Sequence, residues 1–198
     1  MDLLARLDEA RERWNLLEHP FYARWSAGEL TREELSWYAG EYRHAVVALS
    51  ELARAGGAEH AAEETAHIDL WDDFAAAVDA ELRREPSPET AACVEAWHAP
   101  ADELEGLAAL YAIESGQPDV ARTRLEGLVA HYGFVDEGRA TAYFTLHAER
   151  DVEHAAHSRT LLEKHARPED ADRLVAAAET ALRGSWTLLD GVERYKQT

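Results

Sequence analysis

The chain holds one cysteine, Cys93, among 198 residues. An intrachain disulfide is therefore excluded, as are thiolate zinc sites that need two or four cysteines. A chain built this way suits a reducing cytoplasm, the expected compartment. Basic residues are scarce as well: 20 Lys and Arg stand against 39 Asp and Glu, a formal net charge of −19. A surface this negative repels phosphate backbones and anionic headgroups, so neither nucleic acid nor a membrane surface is an expected partner. No apolar run approaches the roughly 18 residues that span a bilayer, and the stretch MDLLARLDEARERW is charged and amphipathic. Alternating β-branched and aromatic runs with Asn-Gly turns are missing, which removes the signals of strands and hairpins. Low-complexity stretches and internal repeats are missing too.

What the chain has in quantity is alanine, leucine, glutamate and arginine, with 46% of residues apolar. That mixture favours helix and supports one core, so one all-α domain over 1–198 is expected. Breakers and caps divide it into a bundle of about seven helices. A first pattern covers Leu3–Glu18 and stops at His19-Pro20, because a residue before proline avoids the α region. The capping box Thr31-x-x-Glu34 opens a long helix that ends near Ala55, before Gly56-Gly57. Further helices are expected over Glu59–Arg84, Pro88–His98, Asp102–Ser115, Pro118–His131, Asp136–Ala166 and Pro168–Tyr195.

The sharpest chemical feature lies in AYFTLHAERDVEHAAHS. His147, Asp151 and His154 fall at i, i+4 and i+7, within about 60° of one another on one helix face. Two imidazoles and a carboxylate on one stripe can offer nitrogen and oxygen ligands to iron, manganese or zinc. In EHAAEETAHIDLW, Glu64 and His67 are i, i+3 neighbours, the way helical bundles present a carboxylate and an imidazole to a metal pair. Glu59, His60 and Glu63 crowd the same helix, and most of these are expected to be solvated. Glu114 closes the apolar run LAALYAIE, where the helix dipole disfavours an anion. It needs a positive partner, either a metal ion or an arginine such as Arg122.

The order Glu-x-x-His, then a lone glutamate after LYAIE, then His-x-x-x-Asp-x-x-His resembles the haem-oxygenase-like diiron oxidases and oxygenases. The stretch HPFYARWSAGELTREELSWYAGEY is similar to the early helices of the wider superfamily, which includes cofactor-free pyrroloquinoline-quinone synthase and thiaminase II. The resemblance implies a haem-oxygenase-like bundle holding two Fe ions that cycle between Fe(II) and Fe(III), with O2 as co-substrate. Its implied metal ligands are Glu64, His67, Glu114, His147, Asp151 and His154. Several relatives carry a glutamate seven residues before the first ligand histidine; here that place is His60, so the Glu-x-x-His version fits better. Glu63 lies about 100° from Glu64 on the helix and is less suited to the face of His67.

The implied activity is O2-dependent oxidation of a small organic metabolite such as an amino acid, an amine or a fatty acid. Tyr38, Tyr42, Trp71, Phe74, Tyr111, Tyr143 and Phe144 are candidates for the pocket wall, with core packing as their default role. Arg43 and His44 are candidates for meeting a substrate carboxylate. A homodimer is expected from the family, with Trp186, Leu188 and Leu189 offering apolar contact. The alternatives are a cofactor-free oxidase of the quinone-synthase type and a non-catalytic helical interaction protein. Exposure of His147, Asp151 and His154 would favour the interaction protein.

Overall fold

The computed structural model describes residues 2–195, so the two ends of the expected domain lie outside the described residues. Nine α-helices run in order: α1 Leu3–Arg13, α2 Pro20–Ala27, α3 Arg32–Leu52, α4 Ala58–Ala77, α5 Pro88–His98, α6 Glu103–Glu114, α7 Gln117–His131, α8 Ala142–His165 and α9 Ala171–Tyr195. No strand occurs among the described residues, as the composition implies.

Local chemistry sets the boundaries. The Thr31–Glu34 capping box forms at the start of α3, and Ser87 and Asp102 cap α5 and α6 by accepting from Thr90 N–H and Glu105 N–H. Three expected boundaries move. The first pattern stops at Arg13, and Leu16–Glu18 forms only a 3-10 turn; α2 then starts at Pro20, where His19 Nδ1 accepts the Phe21 N–H. Helix α4 ends at Ala77 rather than Arg84, because Asp79 adopts φ +58°. Helix α8 starts at Ala142 rather than Asp136, after a turn in which Glu137 has φ +54°. Non-glycine residues in the left-handed region interrupt a helix even where composition favours one.

Buried indoles fasten the bundle. Trp71 Nε1 on α4 donates to the Ala39 carbonyl of α3 at 2.9 Å, Trp97 Nε1 on α5 to Ala181 of α9 at 3.0 Å, and Trp25 Nε1 on α2 to Arg124 of α7 at 3.1 Å. Each buries a large ring while satisfying its one donor. Truncating such a tryptophan to alanine costs about 3–5 kcal/mol. Trp71, Phe74 and Phe144 pack edge to face between α4 and α8, which holds these two helices side by side.

Leu188 and Leu189 are buried in the chain's own core, so they are not the dimer contact the sequence suggested. Trp186 packs edge-on against Trp14 and His19 within the same chain. An i, i+1 pair of leucines near the end of a helix gives no sign of whether the covering surface is internal or a partner's.

Candidate metal centre

Helices α4 and α8 carry the same pattern. His60, Glu64 and His67 on α4 and His147, Asp151 and His154 on α8 both stand at i, i+4, i+7, a carboxylate flanked by two imidazoles. The helices face each other antiparallel. The His60 ring lies 4.0 Å from that of His154, and the His67 ring 4.8 Å from that of His147. Glu114, the last residue of α6, enters at the His60–His154 end, with Oε1 2.7 Å from His60 Nε2 and 3.9 Å from His154 Nδ1. All seven side chains belong to buried residues, with exposures from 1% to 8%. The exposure that would have favoured an interaction protein is not found.

Glu64 stands at the middle. Its Oε1 lies 3.2 Å from His67 Nδ1 and 3.3 Å from His154 Nδ1, and its Oε2 lies 3.6 Å from His147 Nε2. Two groups of donor atoms share it: His60, Glu64, Glu114 and His154, and Glu64, His67 and His147. Within each group the atoms lie no more than 4.8 Å apart. Asp151 Oδ1 is 3.7 Å from His154 Nδ1, and its Oδ2 is buried.

Short distances here do not mean hydrogen bonds. Fifteen buried side-chain polar atoms among the described residues lack a partner in good geometry. Nine belong to these seven residues: both nitrogens of His60, both oxygens of Glu114, Glu64 Oε1, His67 Nδ1, His147 Nε2, Asp151 Oδ2 and His154 Nδ1. Each such atom costs about 1–3 kcal/mol in an apolar interior, so nine together are comparable to the whole stability of an ordinary domain. Buried donor atoms gathered within 4.8 Å of one another, one from each side chain, fit divalent cations. The mixed nitrogen and oxygen set suits iron.

The opposite nitrogens are occupied in a way that aims the free ones inward. His147 Nδ1 faces the Tyr143 carbonyl at 2.7 Å, leaving Nε2 toward Glu64. His154 Nε2 faces Glu63 Oε2 at 2.9 Å, leaving Nδ1 toward Glu64. Glu63 in turn accepts from Arg150 Nη2 at 2.8 Å. Hydrogen bonds of this kind fix ring orientation and tautomer at metal sites. The Tyr143 ring also stacks on His147 at 3.9 Å.

The electrostatics reflect a crowded, dehydrated pocket. Burial pushes the Glu114 carboxyl well above the usual carboxylate range, reinforced by the negative Asp151 and Glu64. Burial acts the same way on Glu64, yet the close imidazoles of His147, His154 and His67 prevail and hold it low. Burial also works against a charged His154, but Asp151, Glu64 and Glu63 raise it to about 10. His60 goes the other way, lowered by burial and by the neighbouring His154. Glu63 sits at about 2, chiefly through Arg150 and then His154.

All six residues singled out in the sequence gather here. His60, expected to be solvated, is buried and joins them; the spacing H-x-x-x-[DE]-x-x-H, read only on α8, would have found it on α4. Glu63 lies outside both donor groups, and so does Asp151, which reaches the cluster only beside His154. Arg122 does not neutralise Glu114, since it binds Asp119 and the Ala148 carbonyl. Arg43 is held by Asp72 at 2.6 Å, and His44 faces the Arg84 carbonyl at 3.0 Å, so neither is free for a substrate carboxylate. The buried cation near the aromatic wall is Arg124, which donates to Tyr22 Oη at 2.8 Å and lies 4.4 Å from the Tyr42 ring centre.

The chain is 33% identical to a 4-aminobenzoate synthase of Chlamydia muridarum, covering 96% of this chain and 89% of that protein. It is 30% identical to a 4-aminobenzoate synthase of Nitrosomonas europaea, covering 96% and 91%. Among solved structures, a domain of unknown function with a haem-oxygenase-like fold from Shewanella denitrificans superposes with a TM-score of 0.80 at 19% identity, covering 100% of this chain and 94% of that one. Residues 31–186 match the family described as iron-containing redox enzymes, a stretch that holds all seven clustered residues. The chain is thus an oxidoreductase with the haem-oxygenase-like fold, and it belongs to the iron-containing redox enzyme family.

Proposed function

We propose that this chain holds two iron ions and uses dioxygen to oxidise a small organic metabolite. The observation that carries the reading is the set of nine buried, unpartnered donor atoms on seven side chains. One ion would take donors from His60, Glu64, Glu114 and His154, the other from Glu64, His67 and His147, with Glu64 common to both. Asp151 adds a third carboxylate beside His154. Bound iron supplies the redox chemistry and the activation of O2, which no side chain here can do alone.

The chain's own residues do the rest. Glu64, Glu114 and Asp151 supply the negative charge that offsets two divalent cations. Tyr143 and Glu63 hold the imidazoles of His147 and His154 in one orientation each. Tyr143 stacks on His147, Trp71 meets Tyr143 edge to face and Tyr42 lies tilted against Trp71, a chain of buried rings that makes one wall apolar and excludes water. A dry wall protects a reactive centre from side reactions. The relatives' names point to an aromatic amine acid, and 4-aminobenzoate is the product we propose to look for. We further propose a homodimer in a reducing cytoplasm, acting as one domain.

The test is to purify the chain after growth with added iron, count metal per chain, and then admit O2 to the anaerobic Fe(II) form. Two irons per chain and O2 uptake beyond that of free Fe(II) are expected. A chain that retains no iron, or retains it without consuming O2, would refute the proposal. Absence of 4-aminobenzoate by mass spectrometry would refute only that product.

A further inference from the structure

A cavity of about 90 Å3 opens between the end of α1, the start of α7 and the middle of α9. Leu16, Leu17, Ile113, Val120 and Leu182 form the apolar part of its wall, and Asn15, Gln117 and Ser185 add neutral polar groups. Arg11 and Trp14 also line it, and Arg11 Nε and Trp14 Nε1 are both buried with no hydrogen-bond partner. Two orphaned N–H donors bordering one cavity are unusual, because buried donors are nearly always paired.

Arg11 is notable for a second reason. In a chain with 39 acidic residues against 20 basic ones, it has no carboxylate within ion-pair distance among the described residues, whereas Arg6 and Arg13 on the same helix bind Asp172 and Glu179. Its methylene stem lies against Gly116, where an added Cβ would sit 3.8 Å from Cδ. Trp14 is held by Trp186 and by Arg183, whose guanidinium lies 5.3 Å from the indole centre. The one carboxylate on the cavity wall, Asp119, is exposed and paired with Arg122. Nothing inside the cavity repels an anion.

We propose that this cavity binds a small organic carboxylate, with Arg11 Nε–H and Trp14 Nε1–H as donors to its oxygens and the apolar walls around its body. Enclosed apolar pockets with a few convergent donors are the ordinary form of small-molecule sites, and arginine is the usual partner of a carboxylate. The site is distinct from the candidate metal centre and does not depend on it.

Benzoate is the probe. Its titration into the full-length protein, metal-free and Zn(II)-loaded, is followed by the Trp14 indole 1H–15N resonance, assigned with Trp14→Phe. A saturable shift of that resonance is expected, with equal affinity in both forms. Arg11→Gln should weaken binding about tenfold or more, as should replacing benzoate by neutral benzamide. Leu182→Trp, which fills the cavity, should abolish the shift while an unchanged helical circular dichroism spectrum reports a folded chain. Binding that needs the metal, survives Arg11→Gln unchanged, or leaves the Trp14 indole unmoved would overturn the assignment, as would no binding at all.

Discussion

His60 Nε2 and Glu114 Oε1 lie 2.7 Å apart, yet no hydrogen bond in good geometry joins them. Both atoms are buried, and both belong to the donor group that His60 and Glu114 form with Glu64 and His154. If that group is a cation site, His60→Ala should lower the iron content from two ions per chain to one while the helical signal persists. Elemental analysis of the purified variant decides this. Two ions retained would remove His60 from the ligand set.

Glu63 touches the same cluster from outside, through His154 Nε2 and Arg150. Glu63→Gln should therefore leave two ions per chain but weaken their retention about 10–100-fold, the usual effect of losing an orienting partner. Competition with a chelator of known affinity measures it. A loss of stoichiometry instead of affinity would make Glu63 a ligand.

Gly56 is a packing constraint on the site. A Cβ there would stand 2.5 Å from His60 Nδ1 and 3.3 Å from Leu110 Cδ2. Gly56→Ala should cost about 1–3 kcal/mol in denaturant unfolding and displace His60, leaving the His67–His147 end intact. Iron content near one ion per chain with a lowered unfolding midpoint is the expected pair of readings.

Acid should weaken the fold in part through Glu34. Burial opposes its charge, but the Thr31 N–H and Arg24 prevail and hold its carboxyl below the ordinary 4.5. A depressed folded value means the stabilisation is present above the unfolded value and lost as pH falls through the folded one. Glu34→Gln should cost about 1–2 kcal/mol at neutral pH, and its deficit against the parent chain should shrink below about pH 4.5. Unfolding curves at pH 7 and pH 3 test the sign; a deficit that grows in acid contradicts it.

Some of this was legible in the residues and some was not. The α8 stripe was, because three ligand-type side chains on an apolar helix face leave few other readings. Glu114 was, because a carboxylate closing an apolar run needs compensation. His60 was legible only in its spacing to Glu64 and His67, which repeats the α8 pattern; it stands among acids that looked solvated, and the packing of α4 antiparallel to α8 sets it opposite His154. The ends of α4 and α8 escaped for another reason. Positive φ at Asp79 and Glu137 is fixed by the tertiary course of the chain and leaves little mark in composition. The fate of Arg43 also depends on a partner, Asp72, supplied by a different helix.

The facing of α4 and α8 has a consequence for how long the protein lasts. Glu63 and His154 meet across 91 positions of chain, in a protein whose one cysteine rules out an internal disulfide. A cation shared by the two helices would close that span much as a covalent cross-link does, and closing so long a loop restricts the unfolded chain more than any single surface contact. Iron supply would then set the protein's lifetime as well as its chemistry. A chain made without iron would lack that closure between α4 and α8.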